Sequence, residues 1–395
     1  MNILFVFNTD ISPTAAGGAT GITHKLECAF RERGCNTSLA FFEQHQTPSP
    51  IKNKIQITKP FNKCEFECFL TKNKIDTIVV STLKKQKAKY FLPLLKQIAT
   101  AKNIQTLFWL HGMPGYEIIT IKNKNVLLYR ILHQKNKIKN IKLLLLSLFP
   151  ISDRIGKILL RRKYALLCNS VDNIVLLSNH FISAFKEYAN CFKNNKFTAI
   201  NNCLTFDKYA DKQIISGKEK IVLIVSRLEE YKRISLALKI WQQAEKNCVD
   251  WKLVIVGKGE DEDYYKRFAK KLQLKNYTFE GWQNPLEYYK RASIFMMTSS
   301  HEGFPMVLGE AQQMGVVPIV FDSFGAVHDI VKNNFNGVVI ENNNINLYAE
   351  KLIMLMKNAT ERQLLAKNAL DSCKRFSTEI IIEKWKNLFE KNLNL

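Results

Sequence analysis

Apolar residues in this chain gather in short runs separated by amphipathic stretches, and that alternation predicts parallel sheets built from strand–helix–strand units. A first series of runs lies at Ile3–Asn8, Ser38–Phe42, Thr77–Val80, Thr106–Leu110, Asn173–Leu177 and Phe197–Asn201. A second lies at Lys220–Ser226, Lys252–Val256, Tyr277–Glu280, Ile294–Thr298 and Val317–Phe321. The runs carry Val, Ile, Leu or Phe on both parities, as strands covered by helices on both faces do. Two such series, each opening with a strand and a turn, predict an α/β protein of two Rossmann-like doubly wound domains. The first is placed at 1–205 and the second at 206–377, with the boundary in the polar stretch Thr205–Glu219. Residues 378–395 read as an amphipathic helix bearing Ile381, Ile382, Trp385, Leu388 and Phe389, expected to pack back on the first domain. A basic helical insert at 116–170 interrupts the first series and is longer than a strand-to-helix connection needs.

Composition is that of a globular protein: of 395 residues, 46% are hydrophobic and 24% charged, which excludes disorder, collagen and coiled coil. Nine cysteines, mostly standing singly in apolar surroundings as Cys168, Cys203 and Cys248 do, fit reduced thiols rather than a disulfide framework. Cys64 and Cys68 form the one close pair. With no further Cys or His beside them in sequence, they are expected to be buried structural thiols rather than metal ligands. Met1–Asn8 lacks the features of a signal peptide, and Leu143–Phe149 falls far short of the roughly 20 apolar residues that span a bilayer. A cytoplasmic protein is expected.

Charge alters this picture. A formal net charge of +23 points to nucleic acid, an anionic membrane surface or an anionic substrate. Between Ile121 and Lys163, twelve Lys/Arg stand against one acid, Asp153, interleaved with Val126, Leu127, Ile131 and Leu143–Leu146. That mixture describes either a solvated helix with its core stripe or an interfacial helix on anionic lipid, peripheral on the inner face of a membrane. No nucleic-acid-binding signature accompanies the charge, so nucleic acid is not expected as a partner.

The densest chemistry lies at 299–315, Ser-Ser-His-Glu-Gly-Phe-Pro-Met-Val-Leu-Gly-Glu-Ala-Gln-Gln-Met-Gly, which reads as strand end, loop and helix. Pro305 suits the first helical position and Gly315 a left-handed stop. The N–H groups of Met306 and Val307 then form a ready anion site. Glu302 lies ahead of the helix and Glu310 about five residues into it, roughly 7–8 Å along the axis. A diphosphate at the helix start would leave a ribose beside Glu310, whose carboxylate accepts from a vicinal diol, and a transferred sugar beside Glu302. Upstream, Ile221–Val225 runs into Ser226-Arg227-Leu228-Glu229-Glu230-Tyr231-Lys232-Arg233. Arg227 and Lys232 thus lie at a strand's carboxyl end, where doubly wound sheets bind ligands and fixed cations stabilise a leaving diphosphate. Gly17 and Gly18 sit in a glycine-rich turn after the first strand, and His111 closes the strand at 106–110. Asp261-Glu262-Asp263 reads as the start of a helix, complementing its dipole, rather than a metal site.

The segment from Glu302 to Glu310 resembles the Glu-x7-Glu motif of retaining GT-B glycosyltransferases of the family 4, or glycosyl transferases group 1, type. The trailing Gly315-Val316-Val317-Pro318-Ile319-Val320 falls in register with it. Ser226–Arg233 is similar to that family's Gly-Arg-Leu-x3-Lys-Gly motif, with Ser226 for the first Gly and Arg233 for the last. The resemblance implies two domains facing across a cleft and a nucleotide-sugar donor, with UDP the expected nucleotide. It implies transfer with retention to a glycan or lipid-linked acceptor, in cell-surface polysaccharide or lipopolysaccharide synthesis, without a metal or other cofactor. Arg227 and Lys232 would hold the diphosphate, Glu302 the donor sugar and Glu310 the ribose. Further donor contacts would come from Gly303, Phe304, Met306, Val307, Gly17, Gly18 and His111. Two rival readings stand beside this one: a nucleotide-sugar epimerase of the same architecture, and a non-enzymatic basic protein binding membrane or nucleic acid. The second leaves Glu302–Glu310 unexplained.

Overall fold

The computed structural model describes residues 1–10, 18–44, 51–81, 83–116, 151–192 and 194–393. They form two compact units, Met1–Cys203 with Thr378–Leu395, and Leu204–Ser377. Gly17 and residues 117–150 of the predicted insert lie outside the described residues.

The first unit holds a parallel sheet of β1 (Asn2–Thr9), β2 (Asn36–Glu43), β3 (Lys54–Gln56), β4 (Thr77–Ser81), β5 (Gln105–Leu110), β6 (Asn173–Leu176) and β7 (Phe197–Ala199), in the order β3-β2-β1-β4-β5-β6-β7. Its interior strand β1 buries Ile3 to Phe7 almost completely, as a strand flanked by helices on both faces must. Among its helices are α1 (Gly18–Glu32), α2 (Lys63–Lys72), α3 (Lys85–Ala101), α4 (Ile151–Ser170) and α5 (Ile182–Ala189). Of the predicted insert, α4 is the described part. It packs on α3 and α5, while Lys157, Arg161 and Arg162 are exposed and Ile158 and Leu159 remain about half exposed.

The second unit holds β8 (Glu219–Val225), β9 (Lys252–Val256), β10 (Tyr277–Gly281), β11 (Ala292–Met297), β12 (Val317–Asp322) and β13 (Val338–Glu341), all parallel, in the order β10-β9-β8-β11-β12-β13. Its helices are α6 (Ile234–Ala244), α7 (Glu262–Lys271), α8 (Leu286–Arg291), α9 (Met306–Gln313), α10 (Val327–Ile330), α11 (Ile345–Lys357) and α12 (Ala359–Ser372). Leu253, Ile255, Ile294, Met296 and Ile319 pack with Leu238, Trp241 and Leu352 in one core. Strand order reverses between β8 and β11, the topological switch point of a doubly wound sheet. The loops leaving those two strands carry both motifs singled out in the sequence.

After Ser377 the chain returns to the first unit as α13 (Thr378–Leu393). Trp385 lies edge-on to Trp109 of β5 at 5.1 Å, and Phe389 packs on Phe30 of α1 at 5.8 Å.

Three expectations are corrected. The units divide at Cys203/Leu204, and the polar stretch after it belongs to the second unit. There Gln313 of α9 donates its side-chain amide to the carbonyls of Phe206 (2.6 Å) and Lys208, its Oε1 accepts from the Phe206 N–H at 3.3 Å, and its backbone carbonyl accepts from the Ala210 N–H at 3.0 Å. Cys64 and Cys68 are exposed, because α2 buries Phe66 and Leu70 on its other side. Two edge strands, β3 and β13, were not among the predicted runs.

Candidate active site

β8 delivers the chain to Ser226–Arg233 and β11 delivers it to Thr298–Pro305, and backbone bonds stitch the two loops together. Ser300 donates its N–H and its hydroxyl to the Tyr231 carbonyl at 2.8 and 3.1 Å. Thr298 donates its hydroxyl to the Lys232 carbonyl at 2.9 Å. Arg233, at φ 51° and ψ 41°, occupies the left-handed conformation that favours glycine, which is what the resembling motif has there. Its side chain offsets the strain: Nε donates to the Thr298 carbonyl at 2.6 Å, Nη2 to that of Ser299 at 2.8 Å and Nη1 to Asn343 Oδ1 at 2.7 Å. Burial pushes the Arg233 pKa down to about 10, still fully charged at neutral pH. The arginine that replaces glycine is therefore a clamp between the loops.

Two cations occupy the carboxyl end of β8. Lys232 Nζ lies 2.5 Å from Glu302 Oε1, with the two side chains only 12% and 13% exposed. Burial by itself would lower the Lys232 pKa, but the Glu302 carboxylate and Tyr231 outweigh it and hold the ammonium above the ordinary lysine range. Arg227, by contrast, is 68% exposed; it pairs with Glu229 at 2.8 Å and donates Nη2 to the Tyr231 hydroxyl at 2.7 Å. The Tyr231 ring lies 4.8 Å from Lys232 Nζ and 5.8 Å from the Arg227 guanidinium, with the His301 ring at 5.1 Å. Tyr231 joins the site beyond the residues expected from the sequence, where an aromatic residue between two candidate cations is the available signal. Ser226 Oγ is buried without a hydrogen-bond partner among the described residues.

α9 begins at Met306, with Pro305 as its N-cap at φ −72° and ψ 103° rather than its first helical residue. Proline has no side-chain acceptor, so the cap supplies none to the first-turn amides of Met306 and Val307. Phe304 turns its ring into the core against Phe376 at 5.4 Å, which leaves its backbone, not its ring, for any ligand. Gly303 is half-buried, and Gly315 closes the segment at φ 65°, the expected left-handed stop. Glu310 is buried within α9. Burial raises its pKa against the opposing hydrogen bonds from Thr205 and Tyr289, the latter at 3.0 Å. The Tyr289 hydroxyl also touches the Val307 carbonyl at 3.3 Å, so α8 fixes the rotamer of Glu310. Tyr289→Phe is expected to raise the donor KM several-fold with little change in kcat, measured by steady-state kinetics against donor.

In the first unit, Gly18 opens α1 at φ 67° in open space. His111 follows β5, its ring 4.0 Å from that of Trp109. Its Nε2 is buried with no hydrogen-bond partner among the described residues. Burial pushes its pKa from 6.5 down to about 3. Between those values the unfolded chain binds a proton that the folded chain refuses, so stability is lost as pH falls through this window. His111→Asn should flatten the fall in thermal midpoint between pH 6.5 and 4.

Two doubly wound units, the second with paired cations and a bare helix start at its switch point, define the GT-B class of fold. Residues 205–371, nearly the whole of the second unit, match the family described as glycosyl transferases group 1. The chain is 30% identical over 225 residues to an uncharacterized glycosyltransferase of Haemophilus influenzae, a match covering 56% of this chain and 62% of that one. It is 31% identical over 186 residues to the poly(glycerol-phosphate) alpha-glucosyltransferase of Bacillus subtilis, covering 46% of this chain and 28% of that one. These matches span less than two thirds of either relative's length. Over 99% of this chain and 100% of the other, the fold superposes on Anabaena Alr3699/HepE in complex with UDP and glucose, with a TM-score of 0.71 at 16% identity.

Proposed function

We propose that this protein is a glycosyltransferase that moves a sugar, with retention of configuration, from a UDP-sugar to a glycan or lipid-linked acceptor in the synthesis of a cell-surface polysaccharide. The observation that carries the reading is the Lys232–Glu302 pair with Arg227, set at the switch point beside the uncapped start of α9. A diphosphate at that start receives hydrogen bonds from the Met306 and Val307 amides and the positive end of the helix. Lys232 and Arg227 stabilise the charge that grows on it as the sugar departs. A leaving-phosphate oxygen then takes the proton of the attacking hydroxyl, so the scheme requires neither a side-chain base nor a metal. Glu302, oriented by Lys232, accepts from donor-sugar hydroxyls, and Glu310 accepts from the ribose diol. UDP is supported by the ligand of the Anabaena structure.

For the acceptor, the supporting feature is a cavity of about 90 Å³ between α3, β5 and α4, apolar within and edged by Lys89, Arg162 and Lys163. Together with the exposed Ile158 and Leu159, it suits a phosphate-linked lipid at the surface of a membrane. Among the described residues no helix is long and apolar enough to cross one. The protein is expected to sediment with anionic liposomes at low salt and be released at high salt; failure to bind at low salt ends the membrane part of the proposal. The donor reading is tested by scoring nucleotide release from a panel of nucleotide sugars. No release from any, or release of an epimerised sugar without transfer, overturns it.

A further inference from the structure

One side of α1 gathers three side chains of metal-ligating type that the proposed transfer does not use. His24, Glu27 and Cys28 stand at positions i, i+3 and i+4, which the helix brings to one face. Cys28 Sγ lies 3.5 Å from Glu27 Oε2 and 3.9 Å from His24 Nδ1, and Nδ1 lies 3.9 Å from Oε2. Tetrahedral zinc, with bonds of about 2.3 Å to sulfur and about 2.0–2.2 Å to nitrogen and oxygen, sets its donors roughly 3.3–3.6 Å apart. The three atoms therefore already outline one face of such a tetrahedron, and closing by about half an ångström completes it.

The surroundings fit a ligand set. Glu27 is fully buried, and its other oxygen, Oε1, accepts from the Thr37 hydroxyl of β2 at 2.6 Å, which orients Oε2 toward the histidine and thiol. His24 and Cys28 are half-buried, which leaves a path for an ion. Arg31 is the opposing feature: Nη2 lies 3.6 Å from Sγ and Nε lies 3.9 Å from Oε1. It is half exposed and free to swing outward, whereas the three donors are fixed by the helix.

We propose that His24, Glu27 and Cys28 form a binding site for a zinc-class divalent cation, with solvent completing the fourth position. On binding, the thiol gives up its proton to water and becomes a thiolate. Thiolate, carboxylate and neutral imidazole then balance the ion's two positive charges. The ion would tie α1 to β2 through Glu27 and Thr37.

The test titrates Co(II), then Zn(II), into the whole 395-residue chain carrying Cys64→Ser/Cys68→Ser, which removes the exposed thiol pair as a competing site. One equivalent of Co(II) should produce a thiolate-to-cobalt charge-transfer band that Zn(II) abolishes, and Zn(II) should raise the thermal midpoint. Cys28→Ser should remove the band, and His24→Gln should weaken binding by at least the ~10–100-fold typical of losing an outer-shell partner. Thr37→Val should weaken it within that range. Should Cys28→Ser not fold, His24→Gln, at a half-buried position, decides the matter. Absence of stoichiometric Co(II) uptake, or uptake indifferent to His24→Gln, overturns the site.

Discussion

Arg227→Ala is expected to cut sugar-transfer turnover by about 10²–10³-fold, the usual cost of losing one preorganised stabiliser of transition-state charge, while leaving the thermal midpoint unchanged. The asymmetry follows from its exposure of 68%: an ion pair with Glu229 in that setting contributes little to folding. Lys232→Ala should lose turnover on the same scale and stability as well. Its partner Glu302 is 13% exposed, and removing the ammonium leaves that carboxylate buried without a counter-charge. Such a break costs about 3 kcal/mol, or roughly 6–12 °C in the midpoint of a domain of this size. The double variant Lys232→Ala/Glu302→Gln removes the stranded charge. It should regain most of the midpoint and none of the turnover. Calorimetry and donor kinetics on the three proteins separate the two roles, and near-normal turnover by Arg227→Ala would refute the diphosphate assignment.

Much of this site was legible in the sequence because its determinants are local. Strands buried on both faces write themselves as apolar runs, and a loop followed by a helix start is written by Gly303, Pro305 and the residues after them. Arg227, Lys232, Glu302 and Glu310 were legible by position on such elements. What tertiary contact decides was not. Nothing near Arg233 in sequence says that its guanidinium reaches the Thr298 and Ser299 carbonyls, and nothing near Glu310 points to Tyr289, 21 residues upstream. The edge strands β3 and β13, three and four residues long, are too short for a periodic signal. Cys64 and Cys68 were misread although the helix held the answer. Phe66 and Leu70 lie two residues further on, about 200° around the axis, and the larger apolar pair takes the core face.

Gly257 and Gly259 stand just ahead of the acidic start of α7, and their weight lies in what touches them. A Cβ on Gly257 would stand 1.9 Å from the Ser226 carbonyl oxygen, and one on Gly259 2.2 Å from that of Leu228. Both obstacles are backbone, which cannot rotate away as a side chain does. Gly257 also holds φ at 136°, a conformation in which an L side chain is strained. The contact exists because the loop after β9 braces the loop after β8: Leu228 donates to the Lys258 carbonyl at 2.9 Å, Asp261 to that of Leu228 at 3.0 Å and Ser226 to that of Val256 at 3.0 Å. Moving either loop to admit a methyl group breaks those bonds and carries Arg227 out of place. Gly257→Ala is therefore expected to cost about 3 kcal/mol or more through overpacking and backbone strain together. Donor binding should fall well beyond what that stability loss explains. Gly259→Ala should follow it, less severely, because it lacks the dihedral strain. Gly217→Ala is the control within the same unit: the nearest atom to its Cβ is 3.9 Å away and its φ is unrestricted, so it should change neither quantity. Thermal unfolding and donor titration on the three variants decide it, and a Gly257→Ala protein that binds donor normally would mean that the brace between the β8 and β9 loops does not position the diphosphate cations.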